Sequence, residues 1–192
     1  MATPASGRVS YEQYVEDEVH GDTKHEWVHG VVYAMAGGSI EHSRLAANIG
    51  AALRAGLGGC DVYQSDAMIF VVAADAATYA DVAVVCGPTD VRRVAREGRT
   101  IGEALLNPTI VVEVLLEGTE TYDRGEKFGY YMQIPSLREY VLVAQREACI
   151  EVFRRPLEGG RWAHEKAGAG GSIAISGAPI AIDDIYRRAA TS

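Results

Sequence analysis

Apolar positions change their spacing several times along the chain, and each change marks an element. After a short polar lead, SYEQYVEDE (10–18) has Ser10 at an N-cap position and reads as a short helix. KHEWV and VVYAM then flank His29-Gly30, a two-residue connection between β-prone runs, which predicts a hairpin. From Ile40, the residues Leu45, Ile49, Leu53 and Leu57 recur at helical spacing, with Ser39 as a cap, and predict a long helix. Gly58 and Gly59 end it.

The next runs, DVYQ, AMIFVVA and TYADVAVVC, read as strands separated by short polar breaks, the last closed by Pro88. DVRRVAREG (90–98) reads as a short basic helix or an ordered loop. NPTIVVEVLL (107–116) is a strongly apolar strand whose lack of alternation places it centrally in a sheet. TYDRGEKFGYYMQI (121–134) predicts a helix despite Gly125 and Gly129. REYVLVA (138–144) and CIEVFRR (149–155) are further strands, and RWAHEK and GSIAIS are edge strands around a flexible AGAGG. No repeat and no dividing linker is present, so a single domain is expected over 1–192, with an ordered core at about 10–187. The class is mixed α+β.

With 192 residues the chain is long enough to bury one good core. A net charge of -8 excludes a protein-wide positive field that would hold nucleic acid non-specifically. Any polyanion must be met locally, and Arg92, Arg93 and Arg96, with Arg124 further on, are the candidates for phosphate contact. Cys60, Cys86 and Cys149 are odd in number and widely separated, and reduced thiols of a cytoplasmic protein are expected. No apolar run approaches the ~20 residues of a membrane span, and the start of the chain lacks a signal pattern.

Two carboxylates stand where apolar residues belong. Glu113 lies within TIVVEVLL, and Asp81 directly precedes a Val-rich run in TYADVAVVC. A buried ionised carboxylate needs compensation. One Mg²⁺ or Mn²⁺ held by both acids from adjacent strands would supply it. Lys127, 14 residues after Glu113, could fall beside both acids and position the attacking water. The alternative for Lys127 is a solvated helix lysine paired with Asp123 at i, i+4.

At these residues the sequence resembles the Uma-type endonucleases of the PD-(D/E)XK restriction-endonuclease-like superfamily. HEWVHGVVYAMAG, YADVAVVC, PTIVVEVL followed by EGTETYDRGEKFGYY, and IPSLREYVLV carry the resemblance. It implies a restriction-endonuclease-like core, a central mixed sheet flanked by helices with an N-terminal hairpin, and metal-dependent phosphodiester hydrolysis. Glu26, Asp81, Glu113 and Lys127 fall on the family's site positions. Ala80 replaces the proline before the first acid, and Leu116, Glu117 and Gly118 replace a Ser-Pro-Ser-like turn. The implied partners are nucleic acid, DNA ahead of RNA, and a second copy of the chain.

HEWVH (25–29) also matches the zinc-peptidase string His-Glu-X-X-His. That chemistry needs a helix, whereas the neighbouring residues favour strand and turn, which would set His25 and His29 about 13 Å apart. His42, just inside the long helix, is an accessory candidate facing the same centre. The functional expectation is therefore a Mg²⁺- or Mn²⁺-dependent endonuclease using Asp81, Glu113, Glu26 and Lys127. The second expectation is a non-catalytic oligomeric or regulatory protein on the same fold, favoured by the acidic charge and the LLEGT loop.

Overall fold

The computed structural model of the chain describes residues 7–35 and 37–188. The expectation that no leader begins the chain falls mainly on residues 1–6, outside those described. The element order opens with α1 (Tyr11–His20), β1 (His25–Val28), β2 (Val31–Ala34) and α2 (Ile40–Gly56). Eight strands follow: β3 (Cys60–Gln64), β4 (Met68–Val71), β5 (Ala76–Tyr79), β6 (Val82–Cys86), β7 (Val91–Arg96), β8 (Arg99–Leu105), β9 (Ile110–Val114) and, after a helical stretch, β10 (Glu139–Val143). That stretch comprises α3 (Glu120–Tyr122), a π turn at Asp123–Lys127, and α4 (Phe128–Tyr131). The chain closes with β11 (Cys149–Arg154), β12 (Ala163–Gly168), β13 (Ser172–Ile175), β14 (Ala178–Ala181) and α5 (Ile182–Tyr186).

The mixed α+β class is as expected, and the central mixed sheet is present in the order β12-β11-β10-β9-β6-β3. Beside it stands a second six-stranded sheet, β2-β1-β5-β4-β8-β7, which the sequence pattern did not separate from the first. In the central sheet β9 and β10 run parallel, with Glu113 opposite Leu142. Their unbroken apolar runs follow from cover on both faces. One face packs Val82, Val84, Ile110 and Val112 against Leu45, Ile49 and Leu53 of α2. The other packs Ala83, Val85 and Val111 against Ile69, Val71 and Ala76 of the second sheet and against Tyr131. Each fully buried aliphatic side chain of this kind contributes about 1.5–3 kcal/mol.

Local chemistry explains the elements that were legible. The Ser10 hydroxyl accepts from the Gln13 N–H and caps α1, and Ser39 does the same for His42 at the start of α2. His29 and Gly30 both adopt positive φ, 51° and 85°, the left-handed pair that a two-residue hairpin requires.

Three expectations are corrected. TYADVAVVC is two strands in two different sheets, β5 and β6, broken at Ala80-Asp81. The basic stretch 90–98 contains strand β7, turned into the unforeseen β8 by Glu97-Gly98, again with both φ positive. Its arginines mimic a helix composition, but their charges answer acids on neighbouring elements. Cys60 and Cys86, expected as reduced thiols, are joined by a disulfide between directly opposed residues of β3 and β6. Only Cys149 remains a thiol, and it is buried. Sequence separation concealed what the antiparallel register brings together. Because the bridge closes a loop of 26 residues, its reduction is expected to lower stability by about 3 kcal/mol. Thermal melts with and without dithiothreitol, alongside a Cys60→Ser/Cys86→Ser variant, measure this.

Candidate active site

Asp81 occupies the point where the chain leaves one sheet and enters the other. In the central sheet Val82 pairs with Val112, so one further antiparallel step sets Asp81 opposite Glu113. Both acids line one cleft of about 450 Å³, together with Glu26, Asp123, Lys127 and His42. The wall is completed by Tyr33, Met35, Tyr79 and Leu116. The sequence-predicted carboxylates and the lysine are thereby brought into one place.

Lys127 is at the centre of the charge arrangement. Its Nζ lies 3.0 Å from Glu26 Oε1, 3.1 Å from Glu113 Oε1 and 3.9 Å from Asp123 Oδ1. It also donates to the Tyr79 carbonyl at 2.8 Å. Glu26, Glu113, Asp123 and Lys127 are only 4–6 % exposed. The solvated helix lysine is thus excluded, although its pairing with Asp123 is retained inside the protein. Burial pulls the Lys127 ammonium down, but Glu113 and Glu26 outweigh it and hold the group well above its ordinary range. A lysine so held keeps its proton and cannot serve as a base.

The π turn at Asp123–Lys127 supplies this inward-facing pair, and single π turns of this kind concentrate at functional positions. Burial raises the Asp123 carboxyl, with Lys127 opposing. The Thr119 hydroxyl donates to Asp123 Oδ2. Burial likewise raises Glu113 well above the usual carboxylate range, Lys127 opposing and Asp81 adding to the rise.

The acids are anchored through one oxygen each. Asp81 Oδ2 accepts from the Val114 N–H at 2.7 Å and lies 3.1 Å from His42 Nε2. Glu113 Oε1 accepts from the Tyr131 hydroxyl at 3.2 Å, besides meeting Lys127. Asp81 Oδ1 and Glu113 Oε2 have no protein donor among the described residues. Glu26 Oε2 accepts from Tyr122 at 2.8 Å, while its Oε1 is buried and lacks a directed hydrogen bond despite its closeness to Lys127. Burial opposes the His42 imidazolium, yet Asp81 prevails and raises its pKa.

Sequence reasoning missed the supporting tyrosines. Tyr131 lies in the core, but its hydroxyl faces Glu113 and in turn accepts from Thr78 Oγ1 at 3.0 Å. Tyr122 had no signal beyond its position in a helix. The phosphate-contact arginines are not at the cleft. Arg92 pairs with Glu12, Arg93 with Glu103, Arg96 with Glu16, and Arg124 with Glu120 and Glu151. Each is already neutralised, and none lines the cleft. The zinc-peptidase string is a strand and its turn, with His25 paired to Glu18 and His29 in the left-handed turn position.

Four carboxyls face one ammonium and one imidazole in the cleft, and two carboxylate oxygens on opposed residues are free of protein donors. Among the described residues no three His, Cys, Asp or Glu side chains stand ready as a ligand cluster. A small hard cation needs fewer, since Mg²⁺ is commonly held by one or two carboxylates and keeps several waters. The residues therefore fit such an ion in charge and in ligand type.

Residues 10–181 match the Uma2 family, described as a putative restriction endonuclease. A similar protein is the uncharacterized slr1290 of Synechocystis, 33% identical over 94% of this chain and 92% of its own length. Another, the uncharacterized sll1609 of the same organism, is 29% identical over 69% of this chain and 73% of its own. A crystal structure of a putative nuclease belonging to DUF820 from Anabaena variabilis shares the fold. It has a TM-score of 0.66 at 13% identity and covers 90% of this chain and 96% of that one. With the family matched over nearly its whole length, the chain belongs to the Uma2 family of restriction-endonuclease-like proteins.

Proposed function

We propose that the chain hydrolyses phosphodiester bonds of nucleic acid, DNA foremost, in a reaction that depends on Mg²⁺ or Mn²⁺. The observation that carries this reading is the pair of opposed acids, Asp81 and Glu113, each anchored through one oxygen with the other free in a shared cleft. When bound between them, the cation would supply charge for the phosphoryl group and a more acidic water.

The chain's own residues do the rest. The Val114 N–H and His42 fix the Asp81 carboxylate, and Tyr131 with Lys127 fixes Glu113. Tyr122 orients Glu26 toward the lysine. Lys127 acts as a fixed positive charge that keeps three acids together. Incubation with varied DNA and RNA substrates and Mn²⁺ tests the reading. Cleavage that stops on chelation is expected, and inactivity on all of them overturns it.

Glu113→Gln separates ligand chemistry from folding. Glu113 is one of the three acids around the buried Lys127, so its neutral isostere, which can still accept from Tyr131, is expected to lower the metal-free melting temperature. The wild type should gain about 2.7 kcal/mol of stability at a hundredfold excess of Mn²⁺ over its Kd. The variant should gain none. Melting curves with Mn²⁺ and with EDTA read both effects.

One observation favours a second reading, a non-catalytic member with a vestigial site: the Lys127 ammonium is already fully engaged by protein acceptors. The same Mn²⁺ melts discriminate, because a vestigial site gives no metal-induced shift.

A further inference from the structure

Of the 18 Lys and Arg side chains, 13 lie within 4 Å of an acid among the described residues. The five without such a partner are Arg8, Arg99, Arg138, Arg155 and Arg161. Two of them face each other. Glu139 of β10 pairs with Arg154 of β11, so Arg138 stands opposite Arg155, and the Arg155 N–H donates to the Arg138 carbonyl at 2.8 Å. Like charges placed directly across a ladder repel.

The pair is held rather than relieved. Arg155 Nη2 donates to the carbonyls of Met132 and Ile134 at 2.6 and 2.8 Å, and its guanidinium lies 4.9 Å from the Trp162 ring centroid. Its Nε is buried without a partner. Partial burial and the neighbouring Arg138 lower the Arg155 pKa, with no acid acting on it. Arg138 is exposed, and Arg161, one residue before Trp162, is exposed as well. On a chain of charge -8, neither Arg138 nor Arg155 has an acid within 4 Å among the described residues.

We infer that Arg138 and Arg155, the latter lying against Trp162, form a docking site for the phosphate backbone of a nucleic-acid strand, set apart from the reaction cleft. The inference rests on the nuclease reading for its choice of polyanion. The Arg138 fork matches phosphate oxygens in geometry, the Arg155 guanidinium adds its positive charge beside it, and a phosphate supplies the counter-charge that the protein withholds. The site also lies within reach of the cleft. Trp162 packs edge-on against Phe128, the residue after Lys127, with ring centroids 5.3 Å apart. Arg138 precedes β10, whose parallel neighbour β9 carries Glu113 toward its far end. From Arg138 to Leu142, which lies opposite Glu113, is four strand steps or about 13 Å, roughly four steps of a strand rising 3.4 Å per nucleotide.

Arg138→Glu gives Arg155 its missing counter-ion within the protein, so the fold should be retained and the melting temperature should rise. Binding is measured by fluorescence anisotropy with a labelled single-stranded 20-mer in EDTA at several salt concentrations. The variant is expected to bind at least about tenfold more weakly. Its salt slope should fall by about 1.4, two contacts at about 0.7 each. Arg99→Glu, with the same net charge, should lose less than about twofold. Equal losses in both variants, unchanged binding in Arg138→Glu, or no oligonucleotide binding by the wild type each overturn the docking site, the last pointing to an acidic protein partner instead. Hydrolysis of bis(p-nitrophenyl) phosphate by the wild type with Mn²⁺ tests the nuclease reading separately, since that small diester needs only the cleft.

Discussion

Asp81→Asn is expected to reduce Mn²⁺-dependent cleavage of DNA by about a thousandfold while leaving the fold intact. The loss is that of several kcal/mol of charge stabilisation, at about 1.4 kcal/mol for each factor of ten. The fold should persist because an asparagine oxygen can still accept from the Val114 N–H, the contact that seats Asp81 between the sheets. Initial rates on a labelled oligonucleotide, with circular dichroism as the control for folding, measure it. Cleavage by the variant at the wild-type rate would remove Asp81 from the reaction.

The largest effect on stability is expected from Lys127→Met. The ammonium is the one buried cation among Glu26, Glu113 and Asp123, and removing one partner of a buried ion pair costs about 3–5 kcal/mol. At about 2–4 °C per kcal/mol for a chain of this size, the melting temperature should fall by roughly 6–20 °C. The deficit should depend on pH. Burial already raises Glu113 and Asp123, with Lys127 opposing in both cases, so losing the lysine raises them further. A carboxyl whose folded pKa is raised costs nothing while protonated, and its penalty accrues as pH climbs from the ordinary carboxylate range through the raised value. Lys127 itself, held well above its usual pKa, stays charged in the wild type over this window. The difference between wild type and variant should therefore be smallest on the acid side and widen as pH rises through the raised carboxyl pKa values. Melting curves across that range check the sign, and a deficit independent of pH would mean that packing, not charge, sets the role of Lys127.

Much of this arrangement was legible because burial chemistry is visible in sequence. An acid within TIVVEVLL cannot be an ordinary strand residue, and Glu113 is indeed on a fully covered strand. Hairpin β1–β2 and helix α2 were equally plain, since a left-handed turn pair and a serine cap are local signals. What failed was non-local. The division of TYADVAVVC between two sheets leaves no mark on its hydrophobicity, because both strands are buried except at Cys86. The Arg92–Arg96 stretch carries a composition that suits helix or loop, and only the acids on α1 and β8 show why it is a strand. The Cys60–Cys86 bridge depends on register, and so does the opposition of Arg138 and Arg155. Tyr122 and Tyr131 hold acids through hydroxyls whose direction no residue pattern reveals.

The central claim is that Asp81 and Glu113 share a divalent cation. Calorimetric titration of the wild-type protein with Mn²⁺, beside Asp81→Asn and Glu113→Gln, tests it directly. Saturable binding of one ion is expected, with a Kd below about 1 mM, a binding free energy beyond about 4 kcal/mol, and loss of binding in both variants. Absence of binding by the wild type at millimolar Mn²⁺, or binding that both variants retain, would contradict it.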